Sequence, residues 1–126
     1  MTTTEPTTIL GRLRRLLGLS ADEGTLPKNI SAQRALEMVQ DGAAVLDVRE
    51  RSEWNTGHAP LAVHVPLADV ESAPRRLNKD TPVVVMCASG MRSRIAAKRL
   101  RDAGFAATSL SGGITAWQAA GGAVRR

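Results

Sequence analysis

The sequence predicts a three-layer α/β domain, in which helices cover both faces of a mainly parallel sheet of about five strands. From Lys28 onward, short apolar runs alternate with segments of helical periodicity, as in strands joined by crossover helices. Pro82–Met86 is continuously apolar and rich in β-branched residues, which is typical of a central strand buried on both faces. The chain has 126 residues, 43% hydrophobic and 23% charged, and this composition fits one globular domain.

Residues 1–27 are interpreted as an N-terminal extension and residues 28–126 as the domain itself. The extension opens with a Thr-rich stretch and continues with apolar residues at helical spacing: Ile9, Leu10, Leu13, Leu16 and Leu17. The positions between them include Arg12, Arg14 and Arg15, so we predict a short basic amphipathic helix. We expect its leucine stripe to pack on the domain in preference to a membrane surface or a partner.

The remaining elements follow from turn residues and apolar periodicity. Ser31 is expected to cap a helix that runs to about Gln40. We then predict a strand at 43–48, a short helix at 50–56, a strand at 62–65, a helix at 67–77, the central strand at 82–86 and a helix at 93–103. Gly104 can end this last helix because glycine readily adopts the left-handed conformation. A strand at 106–110, the turn Ser111-Gly112-Gly113 and a helix containing Trp117 complete the domain.

Several classes of protein are excluded by composition. No apolar run approaches the roughly 18 to 20 residues of a membrane span, and the first residues do not resemble a signal peptide. We therefore expect a cytoplasmic protein. A single Cys cannot form an internal disulfide, and one Cys with two His cannot complete a four-ligand zinc site. No metal or organic cofactor is expected.

The chain is basic, with 17 Lys and Arg against 12 Asp and Glu, a net charge of +5 and an isoelectric point of about 10.6. Basicity can indicate nucleic-acid binding. However, the aromatic residues Trp54, Phe105 and Trp117 are too few for a base-stacking platform, and no DNA-recognition motif is present. We interpret the charge as favouring anionic substrates or partners, with nucleic acid excluded.

Cys87 ends the predicted central strand, and a short loop separates it from a helix that starts near Ser93. In open α/β sheets, ligands bind beyond the carboxyl ends of the strands, where helix N-termini present unpaired N–H groups. The same N–H groups would stabilise a thiolate, Arg92 would add a positive charge, and Gly90 would let the backbone turn inward. Taken alone, a cysteine is more often a buried packing residue, but a packing residue needs no anion-binding loop.

Three motifs occur in order along the chain. They are Asp47-Val48-Arg49-Glu50 with Glu53-Trp54, Gly57-His58, Pro60 and Pro66-Leu67; Cys87-Ala88-Ser89-Gly90-Met91-Arg92-Ser93; and Gly112-Gly113-Ile114-Thr115-Ala116-Trp117. Together they resemble the pattern of the rhodanese family from about residue 28 to the C-terminus. The loop length, with four residues between Cys87 and Arg92, is similar to that of small prokaryotic and plant rhodaneses.

The resemblance implies a sulfurtransferase in which Cys87 is the nucleophile and carries sulfur as a persulfide. The loop residues would bind the substrate: Ala88, Ser89, Gly90, Met91, Arg92 and Ser93. Arg92 would contact a small anionic donor such as thiosulfate or a low-molecular-weight persulfide, and a thiol or protein would accept the sulfur. In vitro, this implies thiosulfate:cyanide sulfurtransferase activity.

Asp47, Arg49 and His58 are interpreted as the scaffold of the site. Asp47 could bond loop amides, and Arg49 could pair with Glu50 or Glu53. The His58 ring is expected to hold backbone groups in a turn. His64 has no role in the motifs beyond the sheet, and Trp54 is expected to pack in its helix.

Two other functions are weighed against sulfur transfer. A cysteine-dependent phosphatase or arsenate reductase would require Cys-x5-Arg, whereas here Arg92 follows after four residues and Ser93 stands where the arginine is needed. A non-enzymatic sulfur-carrier or partner-docking module would use the N-terminal helix as an adaptor. Intact Cys87 and Arg92 argue against an inactive module, but they do not separate an enzyme from a carrier.

Overall fold

The computed structural model describes residues 26–126, so the amphipathic helix predicted within residues 1–27 lies outside the described residues. The strands are β1 Asn29–Ile30, β2 Ala44–Asp47, β3 Val63–His64, β4 Val83–Met86 and β5 Ala107–Leu110. The α-helices are α1 Ala32–Gln40, α2 Arg51–Thr56, α3 Met91–Asp102 and α4 Gly113–Ala119, and a 3₁₀ helix spans Leu67–Arg76. This is the α/β architecture that the sequence predicts.

The five strands form one sheet in the order β1-β5-β4-β2-β3, and every neighbouring pair is parallel. β4 is the central strand, as predicted, with β2 on one side and β5 on the other. The fifth strand is β1, an edge strand of two residues that was not predicted individually. Its brevity leaves no alternation of polar and apolar residues to recognise.

β4 is buried on both faces, and its side chains alternate between two apolar clusters. Val84 and Met86 belong to the cluster that also contains Met38 of α1 and Trp117 of α4. Val83, Val85 and Cys87 belong to the cluster on the other face, with Leu100 of α3 and Val70 of the 3₁₀ helix. Since side chains along a strand point alternately to opposite faces, Cys87 continues the row that faces α3.

Local signals explain where α1 and α3 begin. The Ser31 side chain accepts a hydrogen bond from the Arg34 amide at 3.2 Å, so the predicted N-cap is confirmed. α3 begins at Met91, two positions before the predicted start, because Gly90 adopts a left-handed conformation at φ +115° and serves as the N-cap. Within residues 26–126, no helix is long and apolar enough to cross a membrane.

Candidate active site

Cys87 lies directly beyond the carboxyl end of β4, and the loop Ala88–Gly90 leads from it into α3. The structure therefore places the cysteine between a central strand and a helix N-terminus, as the sequence predicts. Its side chain is completely buried and is not part of a disulfide. Burial alone would suit a packing residue, so the polar groups around the sulfur decide how the site is interpreted.

Three groups contact the sulfur of Cys87. The backbone amide of Gly90 donates to Sγ at 3.0 Å, the amide of Ser93 donates at 3.4 Å, and the Ser93 hydroxyl lies 3.6 Å away. Burial raises the pKa of the Cys87 thiol, but hydrogen bonds from the Ser93 hydroxyl and from the amides of Ser93, Gly90 and Ser89 outweigh it. The pKa of Cys87 is therefore lowered from its ordinary value. The loop stabilises a thiolate with neutral dipoles.

Ser93 lies beside the sulfur and is buried, unlike the exposed loop residues Ser89 and Met91. It is completely buried in the first turn of α3, where its hydroxyl lies 3.0 Å from the Gly90 carbonyl oxygen and 2.7 Å from the hydroxyl of Ser109. Ser109, on β5, is also completely buried. The sequence placed Ser93 in the site but gave Ser109 no role, because nothing in a strand sequence shows which helix its side chain faces.

The turn between β5 and α4 packs against the backbone of Cys87 and the loop that follows it. The amide of Ile114 donates to the Cys87 carbonyl at 2.9 Å. Gly113 has φ +62°, and a Cβ on it would collide with the backbone of Ala88 and Cys87. From the sequence, Gly112 and Gly113 are predicted only as residues of the turn before the last helix. In the structure, Gly113 also allows the two backbones to approach, which fixes the position of the cysteine loop.

Arg92 points to the rim of the site and pairs with Glu53 of α2. Its Nη1 and Nη2 atoms donate to the two oxygens of Glu53 at 2.7 and 2.9 Å, in a bidentate arrangement. This hydrogen bonding lowers the pKa of Glu53 to about 2 and raises that of Arg92. The two side chains are 32% and 30% exposed, so solvent reaches the pair. The negative charge of a Cys87 thiolate also favours the charged form of Arg92.

Asp47 and Arg49 form a second ion pair, which is buried. Arg49 Nη2 donates to Asp47 Oδ2 at 2.8 Å, and Arg49 Nε donates to Oδ1 at 3.0 Å. The expectation that Arg49 pairs with Glu50 or Glu53 is wrong: Nη1 reaches only the carbonyl oxygen of Glu53, at 3.3 Å, and Nη2 also donates to the Gly57 carbonyl at 2.7 Å. A guanidinium that points into the interior needs a buried counter-charge, and Asp47 supplies it.

His58 and His64 both stack on the ring of Trp54, with centroids 3.6 and 4.6 Å from it. The His58 Nδ1 lies 3.1 Å from the Trp54 carbonyl oxygen, so this ring holds a backbone group as expected. His64 Nε2 lies 2.8 Å from the Arg49 carbonyl oxygen, a contact that no sequence signal indicates. Because carbonyl oxygens only accept, each of these ring nitrogens carries a proton.

Across residues 26–126, no group of three or more His, Cys, Asp and Glu side chains is arranged to hold a metal ion. The fold and the site define a class of protein: α/β proteins that hold a cysteine sulfur in a loop of backbone amides beyond the central strand.

Comparison with known proteins assigns the family within this class. The family model for the rhodanese-like domain matches residues 31–120 of this chain. The chain belongs to the rhodanese-like domain family. A protein of Bacillus subtilis named "Putative sulfurtransferase YtwF" is 36% identical over 93 residues, which cover 72% of this chain and 90% of that protein.

A second protein of Bacillus subtilis, named "Putative sulfur carrier protein YrkF", is 41% identical over 61 residues, covering 48% of this chain and 33% of that protein. The crystal structure of a rhodanese-related protein from Thermoplasma volcanium superimposes with a TM-score of 0.71 at 29% identity, covering 79% of this chain and 98% of that one. The solution structure of a rhodanese-like domain from Anabaena gives a TM-score of 0.69 at 33% identity, covering 79% and 80%. Family membership and these relatives support sulfur transfer as the general function.

Proposed function

We propose that this protein is an enzyme that transfers sulfane sulfur from a small anionic donor to a thiophilic acceptor through a persulfide on Cys87. The observation that carries the proposal is the set of donors around the sulfur, namely the Gly90 amide at 3.0 Å, the Ser93 amide at 3.4 Å and the Ser93 hydroxyl. A thiolate is the reactive form of cysteine, and these groups favour it without a metal or a neighbouring base.

The reaction consists of two displacements at sulfur. The Cys87 thiolate attacks the outer sulfur of a donor such as thiosulfate, so that a new S–S bond forms, the S–S bond of the donor breaks, and sulfite leaves with the electron pair. The acceptor nucleophile then attacks the outer sulfur of the persulfide, and the electron pair of the cleaved S–S bond returns to Cys87 as a thiolate. No outside oxidant or reductant is needed, and the loop amides stabilise negative charge in both steps.

Arg92 is proposed to contact the donor anion at the rim. Its ion pair with Glu53 uses one N–H on each of Nη1 and Nη2, whereas a guanidinium carries five N–H donors. An anion can therefore bind beside Glu53 or compete with it for the same fork. Ala88, Ser89 and Met91 complete the loop, and Ser89 and Met91 are exposed. Because Cys87 itself is buried, both donor and acceptor must approach the sulfur past these residues.

A sulfur carrier is the second candidate, and the similarity to the protein named as a sulfur carrier favours it. A carrier and an enzyme would form the same persulfide and would differ in the acceptor, a dedicated protein partner in one case and a small thiol in the other. A cytoplasmic location is proposed with either function.

The Cys87→Ser variant tests the proposal. Incubation with thiosulfate should add the mass of one sulfur atom to the wild-type chain, and cyanide should then release thiocyanate. The variant should do neither, because a hydroxyl cannot carry the persulfide. Since Cys87 is the single cysteine of the chain, no other thiol can produce a background signal. Thiocyanate formation at the wild-type rate by Cys87→Ser would end the proposal.

A further inference from the structure

Two buried hydroxyl groups form a line that ends on the sulfur. Ser109 on β5, Ser93 in α3 and Cys87 each have an exposed fraction of 0%. The Ser109 and Ser93 hydroxyl oxygens are 2.7 Å apart, and the Ser93 oxygen is 3.6 Å from Cys87 Sγ. The three side chains therefore connect β5, the first turn of α3 and the end of the neighbouring strand β4.

The number of available protons decides the direction of the bond between the two serines. Ser93 has one hydroxyl proton and three neighbours that could accept it: Ser109, the Gly90 carbonyl and the sulfur of Cys87. If Ser93 donated to Ser109, its proton would not be available for a hydrogen bond to the sulfur. The proton of Ser109 would then have no acceptor among residues 26–126. Buried hydroxyl groups are rarely left without an acceptor. Ser109 must therefore donate to Ser93.

We infer that Ser109 is a positioning residue for Cys87: by donating to Ser93, it keeps the Ser93 proton available for the sulfur. When Cys87 is a neutral thiol, the S–H group can donate to Ser93 while Ser93 donates to the Gly90 carbonyl, 3.0 Å away. When Cys87 loses its proton, Ser93 can turn its proton to the thiolate. A hydroxyl that accepts one hydrogen bond is also a stronger donor of the next. The inference deepens the proposed function, since the thiolate is the species that would take up sulfur.

The test compares two hydroxyl deletions on the same strand. Ser109→Ala removes the hydroxyl that faces Ser93. Thr108→Val removes a hydroxyl at the adjacent position, which is equally buried but donates to the Pro27 carbonyl at 2.6 Å and so faces away from the cysteine. The rate of alkylation by iodoacetamide, followed against pH, gives the apparent pKa of the thiol in each variant. The signal comes from Cys87 alone because the chain has one cysteine.

Ser109→Ala should raise the apparent pKa and slow alkylation below that pKa by about two- to tenfold, the range of one buried hydrogen bond. Thr108→Val should leave the pKa unchanged even if it melts at a lower temperature. Ser109→Thr keeps the hydroxyl and should keep the wild-type pKa. In a Ser93→Ala background, the further change Ser109→Ala should not shift the pKa again, because Ser109 acts through Ser93.

Two outcomes would overturn the inference. A wild-type pKa in Ser109→Ala would show that the hydroxyl is only structural. An equal shift in Ser109→Ala and Thr108→Val would show a general loosening of β5. The measurement does not depend on sulfur transfer, so a shifted pKa in a chain that forms no thiocyanate would sink the proposed function and leave this inference intact.

Discussion

Two arginine–carboxylate pairs lie near the candidate site, and they differ in burial much more than in geometry. The shortest N–O distance is 2.8 Å in Asp47–Arg49 and 2.7 Å in Glu53–Arg92. The side chains of the first pair are 0% and 5% exposed, whereas those of the second are 32% and 30% exposed. Breaking a buried pair leaves an uncompensated charge in the interior, while water replaces the partner in an exposed pair. The same chemistry can therefore serve as scaffold in one place and as an exchangeable contact in the other.

The neighbours of each pair agree with this division. Arg49 donates further hydrogen bonds to the carbonyl oxygens of Glu53, within α2, and of Gly57, directly after it, which ties α2 to the end of β2. Arg92, in contrast, lies in the first turn of α3 beside the cysteine loop, and its two side-chain hydrogen bonds both go to the carboxylate of Glu53. We therefore propose that Asp47 and Arg49 hold the shape of the site, and that Arg92 meets the donor.

The largest effect on stability is expected from breaking the buried pair. Asp47→Asn should lower the free energy of unfolding by about 3–5 kcal/mol, because the Arg49 charge stays buried without its counter-charge. Denaturant unfolding of the full chain would measure this. Arg49→Gln should cost a similar amount, and the double variant should cost less than the sum of the two. A loss below about 1 kcal/mol in Asp47→Asn would place this pair in the same class as the exposed one.

Arg92→Ala should act mainly on activity. We expect kcat/KM for thiosulfate to fall by about ten- to a hundredfold, the value of a charge-assisted contact, and the apparent pKa of Cys87 to rise, while unfolding changes by less than about 1 kcal/mol. Arg92→Lys should recover part of the loss, because it keeps the charge but not the planar fork. If melting temperature and activity fell together while the alkylation profile of Cys87 stayed unchanged, Arg92 would only pin the loop.

The smallest effect concerns the pH dependence of the exposed pair. The pKa of Glu53 is about 2 in the folded chain and 4.5 in its ordinary state, so the pair stabilises the fold fully above about pH 4.5 and loses this contribution as the pH falls toward 2. Wild type should exceed Glu53→Gln in unfolding free energy by less than about 1 kcal/mol at neutral pH, since solvent screens the pair.

Denaturant unfolding of both chains over a series of pH values checks this dependence. The difference between them should be the same at about pH 7 and pH 5, and smaller at about pH 3. A difference that shrinks already between pH 7 and pH 5 would contradict the assignment to Glu53.

The fold and the place of the cysteine could be predicted because both depend on signals that are local in sequence. The apolar run at 82–86 identifies the central strand, and Cys87 follows it directly. The Gly90 N-cap could also have been predicted, since glycine is the residue that readily adopts a positive φ. These features need no knowledge of which strands are neighbours.

The partners across the sheet could not be predicted in the same way. Glu53 precedes Arg92 by 39 positions, and Ser109 follows Ser93 by 16. Both contacts exist because β4 lies between β2 and β5, an order that the chain reaches only through crossovers. For Arg49 the expected partners were Glu50 or Glu53, whereas the buried guanidinium pairs with Asp47, two positions away. Local rules fail where a charge must be compensated inside the protein.

The alternation along β4 also restricts which insertions and deletions this strand can tolerate. Val83, Val85 and Cys87 share one face of the sheet, and Val84 and Met86 share the other. Inserting or deleting one residue within 83–86 would shift the strand by one position and turn the sulfur toward α1 and α4, away from the Ser93 hydroxyl. A change of two residues would keep the sulfur on its face. The position of the Cys87 sulfur thus depends on the same alternation that fills the core, and single-residue length changes there should be absent from variants that keep the site.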